Sequence, residues 1–244
     1  MKKSIVRKGL FFAVVMALQI HTMPVSAGLQ KYQNQIDEVV MLINQERAAQ
    51  GLAPLQEAAA LNDAANIRAN ELTTYYNHKR PDGAKCFTVL VENGIDYMAA
   101  GENIAYGFAT PEDVMSAWMA STEGHRENIL SEDFDAVGVG VAYVNGVYYW
   151  EQMFTGESGL SPLYTIGNFN GDEEPNAKDA GTLLINAAAI GAGNAPVLNE
   201  LQLSYADING DSRADSADSA MLLQYAAYRG AGGSDTLETY FHLS

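Results

Sequence analysis

Two acidic segments near the C-terminal end carry oxygen-bearing side chains at a regular spacing. Residues 168–179 read NFNGDEEPNAKD, and residues 207–218 read DINGDSRADSAD. In both segments an acid or an amide occupies positions 1, 3, 5, 9 and 12. Calcium takes oxygen ligands from these positions of a tight loop, together with a backbone carbonyl at position 7. The spacing therefore predicts two calcium sites, and the alternative is a pair of acidic turns without metal.

The predicted calcium ligands follow from the loop positions, with the residue at position 7 contributing its carbonyl oxygen. In the first loop they are Asn168, Asn170, Asp172, Glu174, Asn176 and Asp179. In the second loop they are Asp207, Asn209, Asp211, Arg213, Asp215 and Asp218. Asn168 removes a charge from position 1 and Pro175 stiffens position 8, so we expect the first loop to bind calcium more weakly.

Three polar stretches in the first part of the chain carry a second group of reactive side chains. They read NHKRPDG (77–83), AGENIAYG (100–107) and WMASTEGHRENIL (118–130). His78, Glu102 and His125 could converge on a divalent metal or act as acid and base, since imidazole and carboxylate suit both roles. Their spacing alone favours ordinary surface positions, because surface His and Glu are common.

Predicted helices followed by a predicted sheet must position these stretches. Residues 35–49 repeat apolar side chains on one helical face, and an Ala-rich helix follows at about 58–75. A third helix begins after Thr110, which is suited to cap it. Residues 135–154 then alternate, and Asn145-Gly146 is a strong hairpin signal. Helices first and a meander-like sheet last predict an α+β layered domain.

The ordered motifs of this part resemble one known family. They are H-x-R-P-D-G, A-G-E-N-I-A, W-x-x-S-x-x-G-H-R-x-N-I-L, F-x-x-V-G-V-G-V and Y-W-x-Q-x-F. The set resembles the compact bacterial branch of the CAP superfamily, also called SCP/PR-1-like. The resemblance implies an α-β-α sandwich whose cleft carries two His and two acidic residues, which hold a divalent metal in some members. His78, Glu102 and His125 match three of the four positions, and Glu123 is the nearest acidic substitute for the fourth.

The acidic loops resemble a different module. Each loop leads into an apolar helix, AGTLLINAAA or SAMLLQYAAY, and we expect no helix before either loop. Two such loop-helix repeats resemble a type I dockerin, the small all-α calcium-binding module that attaches cellulosomal proteins to cohesin domains of a scaffoldin. The resemblance implies calcium-coupled folding and a cohesin-binding face formed by the two helices.

Three general features of the sequence indicate where the protein is located and which classes of partner they argue against: its N-terminus, its net charge and its cysteine content. Basic residues precede the apolar run GLFFAVVMALQI, which favours a signal peptide cleaved after Ala27 and therefore a secreted, extracellular protein. Fourteen Lys and Arg against 30 Asp and Glu give a formal charge of −16, which argues against nucleic acid or an anionic membrane as partner. Cys86 is the one cysteine and lies among apolar residues, so we predict a buried thiol and no intramolecular disulfide.

The predicted organisation has five parts. They are a signal peptide (1–27), a CAP/SCP-like domain (30–157), a linker (158–162), a type I dockerin (163–230) and a loosely ordered tail (231–244). We expect a cellulosome-associated or cell-surface protein whose CAP domain is an accessory binding module with an unidentified ligand, and whose cleft could hold zinc through His78 and His125. One alternative is a metal-assisted hydrolase of cell-wall or plant polysaccharide or peptide, using His78, Glu102 and His125. The other is a lipid- or sterol-binding domain.

Overall fold

The computed structural model describes residues 31–172 and 174–243, so the predicted signal peptide lies outside the described residues. One four-stranded sheet forms in the described part, in the order β1-β3-β4-β2. Strand β1 pairs in parallel with β3, whereas β4 pairs antiparallel with both β3 and β2. Residues Asn145 and Gly146 have positive φ angles of 52° and 85°, which confirms the predicted hairpin. The strands are Gln56–Glu57 (β1), Ala99–Tyr106 (β2), Ala136–Val144 (β3) and Val147–Gly156 (β4).

Helices cover both faces of this sheet. Helices α2 and α3 pack on the face that carries Met153, and α1, α4 and α5 pack on the face that carries Trp150 and Phe154. The Thr110 hydroxyl accepts a hydrogen bond from the Asp113 amide, which confirms the predicted cap of α4. The first part of the chain is therefore the expected α-β-α sandwich. Its helices are Gln33–Ala49 (α1), Ala59–Leu72 (α2), Thr88–Glu92 (α3), Pro111–Ala120 (α4) and His125–Ile129 (α5).

Helix α2 lies against the backbone of β3. A Cβ atom added at Gly138 or Gly140 would collide with α2 backbone atoms of Leu61 or Ala65. Because β1 contributes only two residues, the β3 amides beyond it need other acceptors. Side-chain oxygens of Asn62 and Asn66 on α2 supply them, accepting from Val139 N at 2.9 Å and Val141 N at 3.0 Å.

The C-terminal part forms a second helical module with its own core, which includes Phe169, Leu183 and Leu222. Two expectations are corrected here. Helix α7 ends directly before the second acidic loop, so that loop is flanked by helices on both sides. Leu237 of α9 is 1% exposed and packs in the module core, so the segment beyond residue 231 is not a loose tail. The helices are Ala177–Gly191 (α6), Glu200–Ala206 (α7), Ser216–Gly230 (α8) and Leu237–Phe241 (α9).

The two parts are in direct contact. The Leu163 amide donates to the Glu57 carbonyl at 2.7 Å, and Leu201 of α7 packs against the core of the first domain. Residues 158–162 thus join two packed units rather than separated ones. In the part of the chain that the structure describes, no helix combines the length and apolar character that crossing a membrane requires.

The close approach of α2 to β3 gives a stability prediction. Replacing Gly140 with Ala should lower the free energy of unfolding of the first domain by about 1–3 kcal/mol, because the new methyl group must displace α2. Urea unfolding followed by tryptophan fluorescence measures this, since Trp118 and Trp150 both lie in that domain. Gly181→Ala is the control, because a Cβ at Gly181 meets nothing within 4 Å. Equal transitions for the two variants would contradict the prediction.

Candidate functional site

A buried ion pair forms the base of the candidate site. Arg68 is the basic residue on the packed face of α2 and is 0% exposed, and Glu102 of edge strand β2 is 6% exposed. Arg68 Nε lies 2.9 Å from Glu102 Oε1. Burial alone would raise the pKa of Glu102, but the hydrogen bond from His78 and the charge of Arg68 outweigh it and hold that pKa below its ordinary value. Glu102 is therefore a fixed carboxylate.

His78 forms a hydrogen bond with the other oxygen of the Glu102 carboxylate. Its Nδ1 lies 2.6 Å from Glu102 Oε2, while 58% of its side chain remains exposed. The hydrogen bond to Glu102 raises the pKa of His78 above its ordinary value, against the opposing effect of partial burial. With Nδ1 engaged, Nε2 is the nitrogen available to a ligand. The structure thus brings His78 and Glu102 together, as their sequence motifs predict.

A chain of ion pairs holds the turn that carries His78. Arg80, from the same H-x-R-P-D-G motif, contacts Glu71 of α2 at 2.7 Å and Glu92 of α3 at 2.6 Å. Glu71 also contacts Arg68 at 2.6 Å, so the chain runs from Arg80 to Glu102. The fixed guanidinium forks restrict the carboxylates to one geometry, which orients the His78 loop.

Glu151 is a functional candidate that the sequence reasoning missed. It lies on β4 opposite Ile104, on the same sheet face as Glu102, and is 0% exposed. Burial first, and then the charge of Glu102, raise the pKa of Glu151 well above its ordinary value. Glu151 therefore ionises less readily than the neighbouring Glu102. The available signal was a lone acidic residue inside the otherwise uncharged strand VYYWEQMF.

His125 approaches from the opposite face of the sheet. It begins α5 after Gly124, whose φ of 93° permits the sharp turn, and Asn103 of β2 donates to its carbonyl at 3.0 Å. Ser121 Oγ lies 2.8 Å from His125 Nδ1, which again leaves Nε2 for a ligand. Burial and the nearby charge of His78 lower the pKa of His125. Glu123 is exposed on the preceding turn.

These contacts limit how the site could hold a metal. Both Glu102 oxygens already bind Arg68 and His78, so this carboxylate supports His78 rather than acting as a third ligand. Within the described ranges, no three or more His, Cys, Asp or Glu side chains form a group that could hold a metal ion. The Nε2 atoms of His78 and His125 are the donors that suit zinc. A carboxylate behind a ligating imidazole is a common support for such a metal.

Cys86 does not extend the chemistry of the site. Its thiol is free and 6% exposed, as its apolar neighbours predict. Burial and the nearby Glu102 raise its pKa to about 12, so it is not a thiolate nucleophile at neutral pH.

The two acidic loops form a second candidate site and share one hydrogen-bond pattern. The carboxylate at position 12, Asp179 or Asp218, is 0% exposed. Each accepts from backbone amides at positions 2, 3 and 9 of its own loop and lies in the first turn of the helix that follows. Ser212 at position 6 of the second loop has a positive φ of 67°, a conformation that glycine adopts more easily. Both loops therefore place an acid at the centre of a tight turn.

The first loop also contains a buried oxygen suited to a cation. Asn168 at position 1 is 3% exposed, and its Nδ2 donates to the Asp172 carbonyl at 2.6 Å. Its Oδ1 is buried and accepts no hydrogen bond from any described residue. A cation would satisfy such an oxygen. Across the described residues of both loops, however, no three or more His, Cys, Asp or Glu side chains form a group that could hold a metal ion, so the calcium sites stay a prediction.

Comparison with known proteins supports the resemblance of the first domain to the CAP family. Residues 40–157 match the CAP family model, described as the cysteine-rich secretory protein family. An uncharacterized Bacillus subtilis protein, YkwD, is 43% identical over 122 residues, covering 49% of this chain and 46% of YkwD. The uncharacterized membrane protein YlbC of the same organism is 30% identical over 106 residues, covering 43% of this chain and 30% of YlbC. The match thus spans less than half the length of each relative.

Two of the solved structures with some likeness come from bacteria. An extracellular protein containing a SCP domain from Bacillus anthracis shares 26% identity with a TM-score of 0.47, covering 50% of this chain and 40% of that one. An outer surface protein of Borrelia burgdorferi shares 17% identity with a TM-score of 0.47, covering 52% of this chain and 96% of that one.

The contact between His78 and Glu102 gives a titration prediction. In a Glu102→Gln variant the pKa of His78 should fall, because the carboxylate that favours imidazolium is lost. Proton NMR of the His78 ring measures it, and Arg68 keeps Glu71 as a partner so that the variant can fold. In the wild type, the stability from this pair is present at low pH and is lost as pH rises through the folded pKa of His78.

Glu123→Gln is the matched control for this titration, since Glu123 is exposed and precedes His125 rather than contacting His78. It should leave the pKa of His78 unchanged. A His78 pKa that is the same in Glu102→Gln and in the wild type would contradict the assignment.

Proposed function

We propose that the protein is an exported accessory protein with a CAP domain at residues 40–157, and that it is held on a scaffold through its C-terminal module. The observation that carries the proposal is the repeated loop, in which a fully buried position-12 Asp lies in the first turn of a helix in both copies. The basic and apolar N-terminal segment supports export, as does the description of the matching family as secretory.

The surface of the C-terminal module suits a protein partner. Helices α6 and α8 expose large apolar side chains, including Ile185 at 62%, Ile190 at 50% and Leu223 at 46%. A groove of about 740 Å³ lies between α6, α7 and the second acidic loop, with Ile190 and Leu203 among its lining residues. We assign the exposed sides of α6 and α8 to a cohesin domain of a scaffoldin, in keeping with the resemblance to a type I dockerin.

Calcium is the cofactor that we propose for both loops. Clustered carboxylates repel one another until a cation neutralises them, so binding would stabilise the turn that each loop forms and the helix that follows. The unpartnered Asn168 oxygen supports this role in the first loop. The charges at positions 1 and 9 are greater in the second loop, with Asp207 and Asp215 replacing Asn168 and Asn176. The second loop should therefore be the tighter site.

For the cleft we propose ligand binding rather than catalysis. His78 and His125 each keep Nε2 free of the contacts described above, and could hold zinc or bind a polar ligand directly. Zinc would supply a Lewis acid at this position. Glu102 fixes His78, and Ser121 fixes His125, so both rings are oriented before a ligand arrives.

A hydrolase is the second candidate, and one observation favours it. The pKa of Glu102 lies below its ordinary value and that of Glu151 well above, which is the separation that acid and base pairs use. Glu151 is 0% exposed, however, so a substrate would reach it only after the sheet edge opens. Assays on peptides, esters and cell-wall glycans, with and without zinc, distinguish the two functions.

The calcium proposal predicts two classes of site. Calorimetry should resolve a tighter site in the second loop and a weaker site in the first loop. Asp218→Asn should remove the tighter site, and Asp179→Asn should remove the weaker one. Burial raises the pKa of Asp179 to about 6, so affinity at the weaker site should fall as pH drops below that value, where calcium must displace a proton.

Glu127→Gln, at an exposed acid of α5, is the control for nonspecific charge effects. It should leave both sites intact. The absence of heat from the wild-type chain in millimolar calcium would contradict the assignment, as would identical losses in the two loop variants.

The partner proposal predicts calcium-dependent binding to a type I cohesin. Calorimetric titration of the full chain should show association in millimolar calcium and none in excess chelator. Ile185→Asp should weaken the association at least about tenfold, because it places a charge in the apolar contact. Ile67→Asp is the matched control, since Ile67 is 40% exposed on the first domain. A flat titration with the calcium-loaded protein would count against a dockerin.

A further inference from the structure

Two buried carboxyl groups lie at the contact between the first domain and the C-terminal module. Asp37 of α1 is 1% exposed and Glu57 of β1 is 5% exposed. The amide of Gln33 donates to both of them, to Asp37 Oδ1 and, at 3.0 Å, to Glu57 Oε1. Asn62 of α2 donates to the same Glu57 oxygen at 2.6 Å. The two acids therefore belong to one hydrogen-bonded cluster.

The C-terminal module supplies the remaining donors of this cluster. Asn199, the N-cap of α7, donates to Asp37 Oδ2 at 2.6 Å. The Tyr164 hydroxyl donates to the same oxygen at 3.2 Å. The Leu163 amide donates to the backbone carbonyl of Glu57 at 2.7 Å. Asp37 thus accepts hydrogen bonds from both parts of the chain at once.

Positive charge does not balance this cluster. Among the described residues, no Lys, Arg or His forms an ion pair with Asp37 or Glu57. The titratable groups that face the pair from the module are the phenols of Tyr164 and Tyr205. Burial raises the pKa of both, Asp37 and Glu57 raise that of Tyr164 further, and Glu57 raises that of Tyr205.

The rim of the same contact adds more negative charge. Glu38 of α1 faces Glu112 of α4 and Glu200 of α7. Burial, followed by the charges of these two acids, raises the pKa of Glu38. Ionisation of both members of the buried pair meets repulsion between the two carboxylates, and no paired cation in the described chain offsets it.

A proton on Glu57 resolves this conflict. Its Oε2 is buried and has no hydrogen-bond partner among the described residues, a position that is costly for a charged oxygen. Burial and then the charge of Asp37 raise the pKa of Glu57 to about 8. The closed arrangement therefore contains one ionised and one neutral acid near neutral pH.

We propose that Asp37 and Glu57 form a proton-dependent clamp, which holds the C-terminal module against the first domain while Glu57 carries a proton and releases the module when that proton passes to water. In the released form Glu57 is solvated and titrates near its ordinary value of 4.5. Between pH values of about 4.5 and 8, the closed form thus binds one more proton than the open form. Closure is favoured at low pH and weakens as pH rises, by up to about tenfold per unit between about 5 and 8.

Hydrogen exchange at the Leu163 amide tests the clamp, because this amide crosses the contact. Its protection factor in the full-length chain, corrected for intrinsic exchange, should fall by up to about tenfold per pH unit between about pH 5.5 and 8. The amides of Gln56 and Gly167, which bond within the first domain and within the module, should not follow this slope. In Glu57→Gln, which keeps the shape and cannot ionise, the Leu163 protection should be independent of pH.

Two further variants keep the test decisive if Glu57→Gln does not fold. Tyr164→Phe removes one donor of the module, so it should lower the Leu163 protection at every pH without changing the slope. Glu38→Gln removes a rim charge and should preserve the slope. Flat protection of Leu163 in the wild type would overturn the clamp, as would an equal slope in Glu57→Gln or a parallel fall at all three amides.

Discussion

Both polar clusters of the first domain depend on the direct contact of α2 with the backbone of β3. The glycines at 138 and 140 permit that contact, and the side-chain oxygens of Asn62 and Asn66 satisfy the strand amides that the short β1 leaves open. From this position Arg68 reaches Glu102 in the cleft, while Asn62 reaches Glu57 at the contact between the two parts. One helix therefore positions the candidate site and the interdomain cluster, so disturbance of its packing would affect both.

The two clusters stabilise buried acids by different means. In the cleft, Glu102 stays ionised because Arg68 and His78 contact its oxygens, whereas burial raises the pKa of the neighbouring Glu151. At the interdomain contact no cation is paired with Asp37 or Glu57 in the described chain, and a proton takes its place. A guanidinium stays charged and pairs with a carboxylate over the whole physiological pH range. A proton removes the charge of a buried acid only below the pKa of that acid. The Arg68–Glu102 pair of the cleft is thus independent of pH in this range, whereas the interdomain contact depends on pH.

Local patterns predicted much of the fold and about half of the candidate site. The hairpin at Asn145-Gly146, the Thr110 cap and helices α1, α2 and α4 follow from short-range signals, whereas the short helices α3 and α5 were not predicted. The motif series indicated that His78 and Glu102 share a cleft. Glu151 and Arg68 were missed because their roles arise from burial against other elements, which periodicity does not report. Helix α7 was missed because it spans seven residues and is held by Asn199 and Gln202 capping and by contact with the first domain.

The order β1-β3-β4-β2 has a mechanical consequence. The C-terminal module bonds to the β1 edge, whereas Glu102 lies on β2 at the far edge of the sheet. A pulling force applied between the C-terminal module and the cleft would therefore run across the strands rather than along them. Strand β1 contributes only two residues, so part of the force would act on the hydrogen bonds that join Asp37 of α1 to Tyr164 and Asn199 of the module. Such a force would thus act first on the contact between the two parts, before it reaches Glu102 on the far strand.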